Sequence, residues 1–285
     1  MALKTRRADG PFGMVVDDLD LAEPLDDGDI GALKALWAEH AVLVFPRQCL
    51  TEAELATFSA RFGALDVVVR TDMLSPYMPE VIYISNMKDK DGRNVGGLAS
   101  GEVDWHADQS YRPKPATGAV LYGVLVPPEA GNTYFANQYL AYENLPQALK
   151  DRIEGKQAIF SYAHRMAKFY PPEMRDNTSI SSPDISHPMV LRHPVSGRKA
   201  LYADPTTLLR IEGMERGESD DLLAEITGYS VDPSVIYTHC WRPGDVVMWD
   251  NGCTLHRRDP LDEIDLRLLK RTTMFLSPEH YCVPD

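Results

Sequence analysis

A histidine and an aspartate two residues apart, His106 and Asp108, have a spacing that could serve metal binding. On a β-strand, side chains two residues apart project to the same side, so an imidazole and a carboxylate could occupy neighbouring positions around one ion. Another histidine, His256, follows the apolar segment 246–249. Two histidines and one carboxylate on one side of an ion leave the opposite positions open, an arrangement typical of non-heme Fe(II) sites that activate O2.

The His-x-Asp pair is a weak signal on its own, because such a pair more often belongs to a surface strand or makes a structural hydrogen bond. Its surroundings favour the metal interpretation. Trp105 lies directly before His106, and the apolar stretch 119–126 follows Asp108. The pair His106 and Asp108 therefore falls among predicted strands. An unpaired carboxylate would be costly to bury there, and a bound cation would remove that cost.

Two arginines follow His256 along the chain. Arg267 lies 11 residues after it, and Arg271 lies four residues further, at the start of another predicted strand. Arginines that point into a β-core need a carboxylate partner. A dicarboxylic cosubstrate that chelates the metal at one end and meets arginine at the other would supply it. A surface ion pair between Arg267 and Asp262, Glu263 or Asp265 explains the same pattern equally well.

The elements that must bring these segments together are mostly short predicted strands. The apolar run 41–45, rich in β-branched residues, predicts a buried strand, and similar strands are predicted through the middle and end of the chain. Helices are predicted near the front, at about 30–40 and from the capping-box pattern 51–54 to about Phe62, with Gly63 as the C-cap. This pattern favours a β-sandwich or barrel with flanking helices.

Length and composition are those of an ordinary globular protein. The 285 residues can bury a sizeable core and contain no obvious linker, so a single domain over residues 1–285 is expected. The polar, proline-containing stretch at about 160–184 is interpreted as an insertion or lid. The apolar runs are too short for a membrane span, and no secretory signal follows the N-terminal arginines.

Net charge and cysteine spacing argue against several classes of protein. A net charge of −13 argues against nucleic acid or an anionic membrane as a general partner, although a local arginine pocket can still bind a small anionic molecule. The four cysteines form no CxxC pair, which argues against a disulfide framework or a thiolate zinc site. A reducing cytoplasm is the expected location.

Five segments carry a resemblance to a known family: Trp105 to Asp108, Pro127 to Thr133, Gly244 to Asn251, His256, and Arg267 to Thr273. Together they resemble the taurine dioxygenase family of Fe(II)- and 2-oxoglutarate-dependent oxygenases, which includes enzymes acting on taurine, alkyl sulfates and phenoxyalkanoate herbicides. The front of the chain, at 17–21 and 42–46, also matches that family. The resemblance implies a mainly β fold with flanking helices around a double-stranded β-helix, or jelly-roll, core.

The resemblance implies that His106, Asp108 and His256 are the iron ligands and form the catalytic centre. The remaining positions on the iron would take bidentate 2-oxoglutarate and O2. The reaction would yield succinate and CO2 while a small anionic or zwitterionic organic substrate is hydroxylated. Relatives that halogenate lack the carboxylate ligand, so the presence of Asp108 favours hydroxylation.

The same resemblance assigns the residues that bind the cosubstrate. Arg267 would bind the distal carboxylate of 2-oxoglutarate, assisted by the Thr133 hydroxyl, and an arginine–carboxylate pair can be bidentate. Arg271 would lie over this pocket, where relatives use it on the anionic group of the primary substrate. Relatives commonly form dimers or tetramers, so a homo-oligomer is expected.

Residues that contact the primary substrate are harder to assign, because they lie on loops. Arg70 falls in a segment that lines the substrate site of relatives, and Asn86 is a similar candidate. Glu102 stands four residues before His106, where the taurine enzyme carries an amide, and this difference argues against a taurine-like substrate. Glu102 could bind an amine or hydroxyl of the substrate, or simply be solvated.

Two other functions are compatible with the same three ligands. A non-catalytic jelly-roll protein could hold the metal structurally and bind a small molecule, but it would need a closed coordination sphere, and no fourth ligand lies close to either motif. A zinc hydrolase could use three such ligands. It would need neither Arg267 nor Thr133.

Overall fold

The computed structural model describes residues 3–68, 73–97, 103–169 and 182–284. The strands of these ranges, in chain order, are β1 (Lys4–Arg7), β2 (Met14–Asp17), β3 (Val42–Phe45), β4 (Ala64–Leu65), β5 (Val81–Ser85), β6 (Val103–His106), β7 (Gly118–Leu125), β8 (Thr133–Asn137), β9 (Gln157–Phe160), β10 (Ile185–Pro188), β11 (Val190–Arg192), β12 (Lys199–Leu201), β13 (Leu208–Ile211), β14 (Ile236–His239), β15 (Val246–Asp250), β16 (Thr254–Arg258) and β17 (Leu268–Phe275). The α-helices of the same ranges are α1 (Asp27–His40), α2 (Glu52–Ala60), α3 (Gln138–Asn144), α4 (Gln147–Ile153), α5 (Tyr162–Phe169) and α6 (Arg216–Ser230).

Two sheets share the strands in the order of a double-stranded β-helix. The larger sheet has the order β1-β2-β3-β15-β7-β17-β4, with β5 also paired to β17, and the smaller has the order β14-β8-β16-β6. The chain therefore crosses between the sheets at each step from β5 to β8, and again from β14 to β17. The part between β8 and β14 adds two small sheets, β10-β9-β13 and β11-β12. The predicted mainly β fold with a jelly-roll core is confirmed.

The apolar run at β3 is buried on both of its faces. Val42 and Val44 pack in the layer between the two sheets, while Leu43 and Phe45 belong to a second apolar layer with α1 and α2. Phe45 meets Phe58 of α2 edge-on, with ring centroids 5.6 Å apart. Because strand side chains alternate, a strand between two apolar layers must be apolar at every position, as the continuous run predicts.

Both front helices begin at the polar residues that the sequence indicates. The Asp26 side chain accepts a hydrogen bond from the Asp29 N–H at the start of α1. Thr51 and Glu54 form the reciprocal capping box of α2. Each interaction satisfies backbone N–H groups that the first helical turn leaves without a partner.

The structural reason for a glycine at position 63, after α2, differs from the predicted one. The helix ends at Ala60, and its C-cap is Arg61 in an ordinary right-handed conformation, so Gly63 is not the cap. A Cβ atom on Gly63 would lie only 2.2 Å from the Phe275 carbonyl oxygen. Glycine is required because the chain passes directly against the end of β17.

The stretch predicted as a lid is described only at its two ends. Phe160 is the last residue of β9 and is completely buried, which makes it part of the core, and α5 follows it. Positions 170–181 lie outside the described residues. The lid and the single domain over 1–285 stay predictions. None of the helices in the described ranges is long and apolar enough to cross a lipid bilayer.

Replacing Gly63 with alanine should destabilise the protein by about 1–3 kcal/mol, because the methyl group would overlap the Phe275 carbonyl and push the backbone away from β17. Gly31→Ala in α1 is the matched control, since a Cβ there meets no atom within 4 Å. It should be neutral or stabilise by up to about 1 kcal/mol. Urea denaturation followed by circular dichroism measures both, and equal stabilities would contradict the close-contact explanation.

Candidate metal centre and cosubstrate pocket

The register between β16 and β6 brings two histidines together. His256 and His106 are direct cross-strand partners on these antiparallel strands. Their ring centroids are 4.1 Å apart. Directly opposed residues of an antiparallel pair project to the same side of the sheet. Both rings line one cavity, whose apolar wall includes Leu121 and Trp249.

Asp108 joins this pair, but from a turn and not from the predicted strand. β6 ends at His106, and Asp108 lies in the turn that follows, next to Gln109 with a positive φ of 58°. His106 Nε2 is 3.6 Å from Asp108 Oδ1, and His256 Nε2 is 3.6 Å from Asp108 Oδ2. The interpretation of His106 and Asp108 as neighbours on one strand face is therefore wrong, although the structure brings the three side chains together.

Two side chains that the sequence analysis did not single out hold the Asp108 turn. The Asn251 side-chain oxygen accepts a hydrogen bond from the Asp108 N–H at 3.3 Å. Asp204, which is 1 % exposed, accepts one from the Ala107 N–H at 3.3 Å. Asn251 stood inside a motif that carried the resemblance, whereas no local pattern marks Asp204, because only the folded chain brings it near.

The histidines present nitrogen lone pairs to the space around the carboxylate. His106 Nδ1 lies 2.8 Å from the Asp104 carbonyl oxygen. Since a carbonyl only accepts, Nδ1 carries the hydrogen of this bond, which in the neutral ring leaves the Nε2 lone pair for a ligand. Burial, and then the nearby His106, lower the pKa of His256 well below its ordinary value, which keeps this imidazole neutral. Neutral imidazole is the form that binds metal ions.

The Asp108 carboxylate is held in its anionic form. Burial alone would raise the pKa of Asp108, but the Arg271 guanidinium and the two histidines outweigh burial and hold it well below its usual range. Arg271 Nη2 lies 3.0 Å from Asp108 Oδ2. No described residue gives this oxygen a hydrogen bond of ordinary geometry. The donor atoms of His106, Asp108 and His256 all lie within 4.8 Å of one another, and this mixed nitrogen and oxygen set fits a divalent ion such as Fe(II).

Arg267 lines the same cavity and is only 2 % exposed. Its Nη1 donates to the Gly131 carbonyl at 3.1 Å, and its Nε has no hydrogen-bond partner within the described ranges. Burial, and then the neighbouring Arg258, lower the pKa of Arg267 to about 9, so the group is still charged near neutral pH. This inward position overturns the alternative of a surface ion pair with an acidic residue of 262–265.

Asn86 holds the backbone on either side of the Asp265–Arg267 segment. Its side-chain oxygen accepts from the Arg267 N–H at 2.8 Å, and its nitrogen donates to the Asp265 carbonyl at 2.9 Å. Both ends of the amide are therefore bonded to backbone, and the role of Asn86 as a substrate contact stays a prediction. Gly131, at a positive φ of 71°, also makes room here, since a Cβ would lie 2.8 Å from a Leu261 methyl carbon.

The remaining candidates divide into two groups. Thr133, at the start of β8, and Arg271, in the middle of β17, both line the cavity and are 5 % and 8 % exposed. Arg271 donates from Nε and Nη2 to the Thr273 hydroxyl, at 3.2 and 3.1 Å. Arg70 and Glu102 lie outside the described residues. The cavity thus combines a His-Asp-His cluster, three buried guanidinium groups (Arg258, Arg267 and Arg271) and the Thr133 hydroxyl, a set that can bind a metal ion and anions.

A family model described as the taurine catabolism dioxygenase TauD, TfdA family matches residues 4–273. The match covers most of the chain, and the chain belongs to this family. It is therefore an oxidoreductase of the dioxygenase class that uses Fe(II), 2-oxoglutarate and O2, as its motifs predict. A non-catalytic binding protein and a zinc hydrolase do not agree with this membership.

Individual relatives are similar over almost their full length. The chain is 35 % identical to an (S)-phenoxypropionate/alpha-ketoglutarate-dioxygenase of Sphingobium herbicidovorans, over 92 % of this chain and 91 % of that protein. It is 31 % identical to pentalenolactone F synthase of Streptomyces avermitilis, over 96 % and 94 %. The crystal structure of AAD-2 in complex with Mn(II) and N-oxalylglycine matches with a TM-score of 0.79 at 28 % identity, over 97 % of this chain and 98 % of that one.

Replacing His106 or His256 with alanine should abolish stoichiometric binding of Mn(II), a redox-stable substitute for Fe(II), because only two protein ligands would remain. Isothermal titration calorimetry of the metal-free protein measures this binding. His280→Gln is the matched control, since His280 is exposed and should not affect the titration. Stoichiometric binding that survives both alanine substitutions would mean that the metal is held elsewhere.

Proposed function

We propose that this dioxygenase hydroxylates a small organic anion, with its Fe(II) held by His106, Asp108 and His256. Iron bound there would couple the oxidative decarboxylation of 2-oxoglutarate by O2 to the oxidation of a substrate C–H bond. The protein's part is to orient both organic molecules and to keep water from the reacting atoms. The observation that carries the proposal is that buried guanidinium groups, among them Arg267 and Arg271, line the cavity of the metal cluster.

Arg267 is the proposed site for the distal carboxylate of 2-oxoglutarate. A buried cation is costly unless it is paired with an anion. Among the described residues, no carboxylate lies close enough to raise the pKa of Arg267. A dianionic cosubstrate supplies the missing partner, and a guanidinium can bind its carboxylate through two parallel hydrogen bonds. Thr133 lines the same cavity and offers a hydroxyl to the same carboxylate.

Arg271 is the proposed site for the anionic group of the primary substrate, at the boundary with the cosubstrate. Its guanidinium lies beside Asp108 and is centred 5.9 Å from the Trp249 ring, so an anion bound to it would be close to the metal. The similar enzyme of S. herbicidovorans is named for phenoxypropionate, a small carboxylate with an aromatic body. This name supports aryloxy and other organic carboxylates as the first substrates to test. Arg70 and Glu102 stay candidates for further substrate contacts.

We also propose a reducing cytoplasm as the location of the protein. All four cysteines carry free thiols, and Cys49 and Cys240 are exposed. Exposed free thiols persist where the compartment is reducing. The net charge of −13 argues against nucleic acid and anionic membranes as partners.

A homo-oligomer is proposed because apolar side chains are exposed around the adjoining ends of β7 and β17. Val124 and Leu125 end β7, and Ile264 and Leu266 precede β17; all four are more than a third exposed. Contiguous exposed apolar surface is typical of a protein–protein contact. Size-exclusion chromatography with light scattering should therefore give the mass of a dimer or tetramer, and a monomer at micromolar concentration would contradict the proposal.

Anaerobic addition of Fe(II) and 2-oxoglutarate should produce a weak visible charge-transfer band that reports chelation of the metal. Arg267→Ala should raise the 2-oxoglutarate concentration for half-maximal absorbance about 10–100-fold, because charged hydrogen bonds to the distal carboxylate are lost. Arg210→Ala is the matched control, since Arg210 is exposed on β13 outside the cavity, and it should leave this titration within about twofold. If the wild-type protein gives no band, or if His106→Ala keeps it, the proposed site is wrong.

Release of succinate in the presence of O2 identifies the substrate class. A panel of aryloxy carboxylates, sulfonates, phosphonates and amino acids should contain compounds that raise succinate release above the rate with 2-oxoglutarate alone, and Arg271→Ala should remove this stimulation. A stimulating compound that carries no negative charge, or one that stimulates the Arg271 variant equally, would contradict the assignment of Arg271.

A further inference from the structure

Trp241 makes its buried polar contact with a residue of the cosubstrate pocket. Its indole Nε1 lies 2.9 Å from Thr133 Oγ1, and the two residues are 4 % and 5 % exposed. An indole N–H can only donate, so the Thr133 oxygen must accept this hydrogen bond. The hydroxyl then keeps its own hydrogen for a second partner, and within the described ranges no protein atom takes it.

We propose that Trp241 is a positioning residue that fixes the Thr133 hydroxyl as a donor towards the cavity, and thereby makes the pocket select a 2-oxo acid that ends in an ionised carboxylate. An ionised carboxylate can only accept hydrogen bonds, so it requires a donor at this position. Without the indole, the Thr133 hydroxyl is free to turn and loses this preference. The inference rests on the proposed binding of the distal carboxylate by Arg267 and Thr133.

The fold places Thr133 where a distal carboxylate is expected. Thr133 is the cross-strand partner of Arg258, which lies two residues beyond His256 on β16. Two residues of strand advance by about 7 Å and return to the same face of the sheet. The hydroxyl therefore stands about one five-carbon diacid away from the metal ligands, on the face that carries them.

The indole itself is held in one orientation by its surroundings. The His239 ring packs edge-on against it, with centroids 4.5 Å apart. His239 is in turn fixed, since its Nδ1 is 3.0 Å from the Tyr237 hydroxyl and its Nε2 is 3.2 Å from an Asp245 oxygen. A Cβ on Gly123 would lie 3.1 Å from Trp241 Cε3, so the ring also fills the space left by this glycine. An indole packed in this way keeps its N–H directed at the same oxygen.

The test compares two 2-oxo acids that differ only at the distal end. Trp241→Phe, in the Fe(II)-loaded enzyme, should raise both the KM for 2-oxoglutarate and its half-saturation in the anaerobic charge-transfer titration by about 5–10-fold, which corresponds to one hydrogen bond. The kcat at saturating 2-oxoglutarate should change less than about twofold. Binding of 2-oxovalerate, which has the same chelating end and a distal methyl group, should be unchanged. A variant that merely loosens the packing of the pocket would weaken the binding of both acids by the same factor.

A double-variant cycle separates the route through Thr133 from any other effect of Trp241. In a Thr133→Val background the Trp241→Phe substitution should cost nothing further, whereas Thr133→Ser, which keeps the hydroxyl, should keep the full effect. Trp37→Phe is the matched control, because it removes a buried indole hydrogen bond, from Trp37 Nε1 to the Ala41 carbonyl oxygen, in the other apolar layer and away from Thr133. If Trp241→Phe fails to fold, Gly123→Ala displaces the indole and should give the same difference between the two acids.

The inference would be overturned if Trp241→Phe weakened the binding of 2-oxoglutarate and of 2-oxovalerate equally. It would also be overturned if the losses of 2-oxoglutarate affinity from Thr133→Val and Trp241→Phe were fully additive in the double variant. Failure of the proposed cosubstrate site itself has a different signature, because 2-oxoglutarate affinity would then be insensitive to Arg267→Ala as well. If Arg267→Ala weakens the binding of 2-oxoglutarate and Trp241→Phe does not, the proposed cosubstrate site is supported and the proposed role of Trp241 is wrong.

Discussion

The pairing of β16 with β6 is the constraint on which the candidate site depends. It sets His256 opposite His106, and a slip of one residue would turn His256 to the other face of the sheet. Apolar packing holds the register: Trp249 and Phe135 lie around the His256 ring, with centroids 5.0 and 6.3 Å from it. The metal ligands are therefore placed by the apolar core, and the core has to be ordered before the chemistry can exist.

Only some of the charged side chains that line the cavity are paired with an opposite charge of another described residue. Asp108 and Arg271 pair with each other, but the guanidinium of Arg267 is buried with a backbone carbonyl as its hydrogen-bond acceptor. Such burial weakens the folded state, and a dianionic cosubstrate and a divalent ion each relieve part of the cost. A metal held by Asp108 would share this carboxylate with the Arg271 guanidinium, since Asp108 Oδ2 faces both Arg271 and His256.

Candidate site residues could be predicted from the sequence where a polar or charged residue stands among predicted buried strands. His106, Asp108 and His256 were recognised from residue type and spacing, although Asp108 is placed by a turn that spacing alone does not reveal. Arg267 was predicted to point into the β-core, and it is buried there. Charge pattern alone could not distinguish this position from a surface ion pair, because the burial of a residue just before a strand depends on the whole fold.

Residues that act through another residue could not be found in this way. Asn86 was predicted as a substrate contact, whereas its hydrogen bonds to the backbone of Asp265 and Arg267 could not be predicted from spacing. Asp204 and Trp241 carry no local signal, since each meets its partner only after strands far apart in sequence have paired. Gly63 was expected as a helix cap and is instead required by the backbone of β17.

The two halves of the proposed function are built from different parts of the chain. The groups assigned to the metal and the cosubstrate lie on β6, β8, β16 and β17 or within two residues of their ends. Apart from Arg271 on β17, the candidates for substrate recognition, which are Arg70, Glu102 and the stretch 160–184, fall mainly between the described strands. Strand registers change only with the whole sheet, whereas connections vary without disturbing it. A relative named for phenoxypropionate and one named for pentalenolactone F can therefore resemble the same chain at 35 % and 31 % identity.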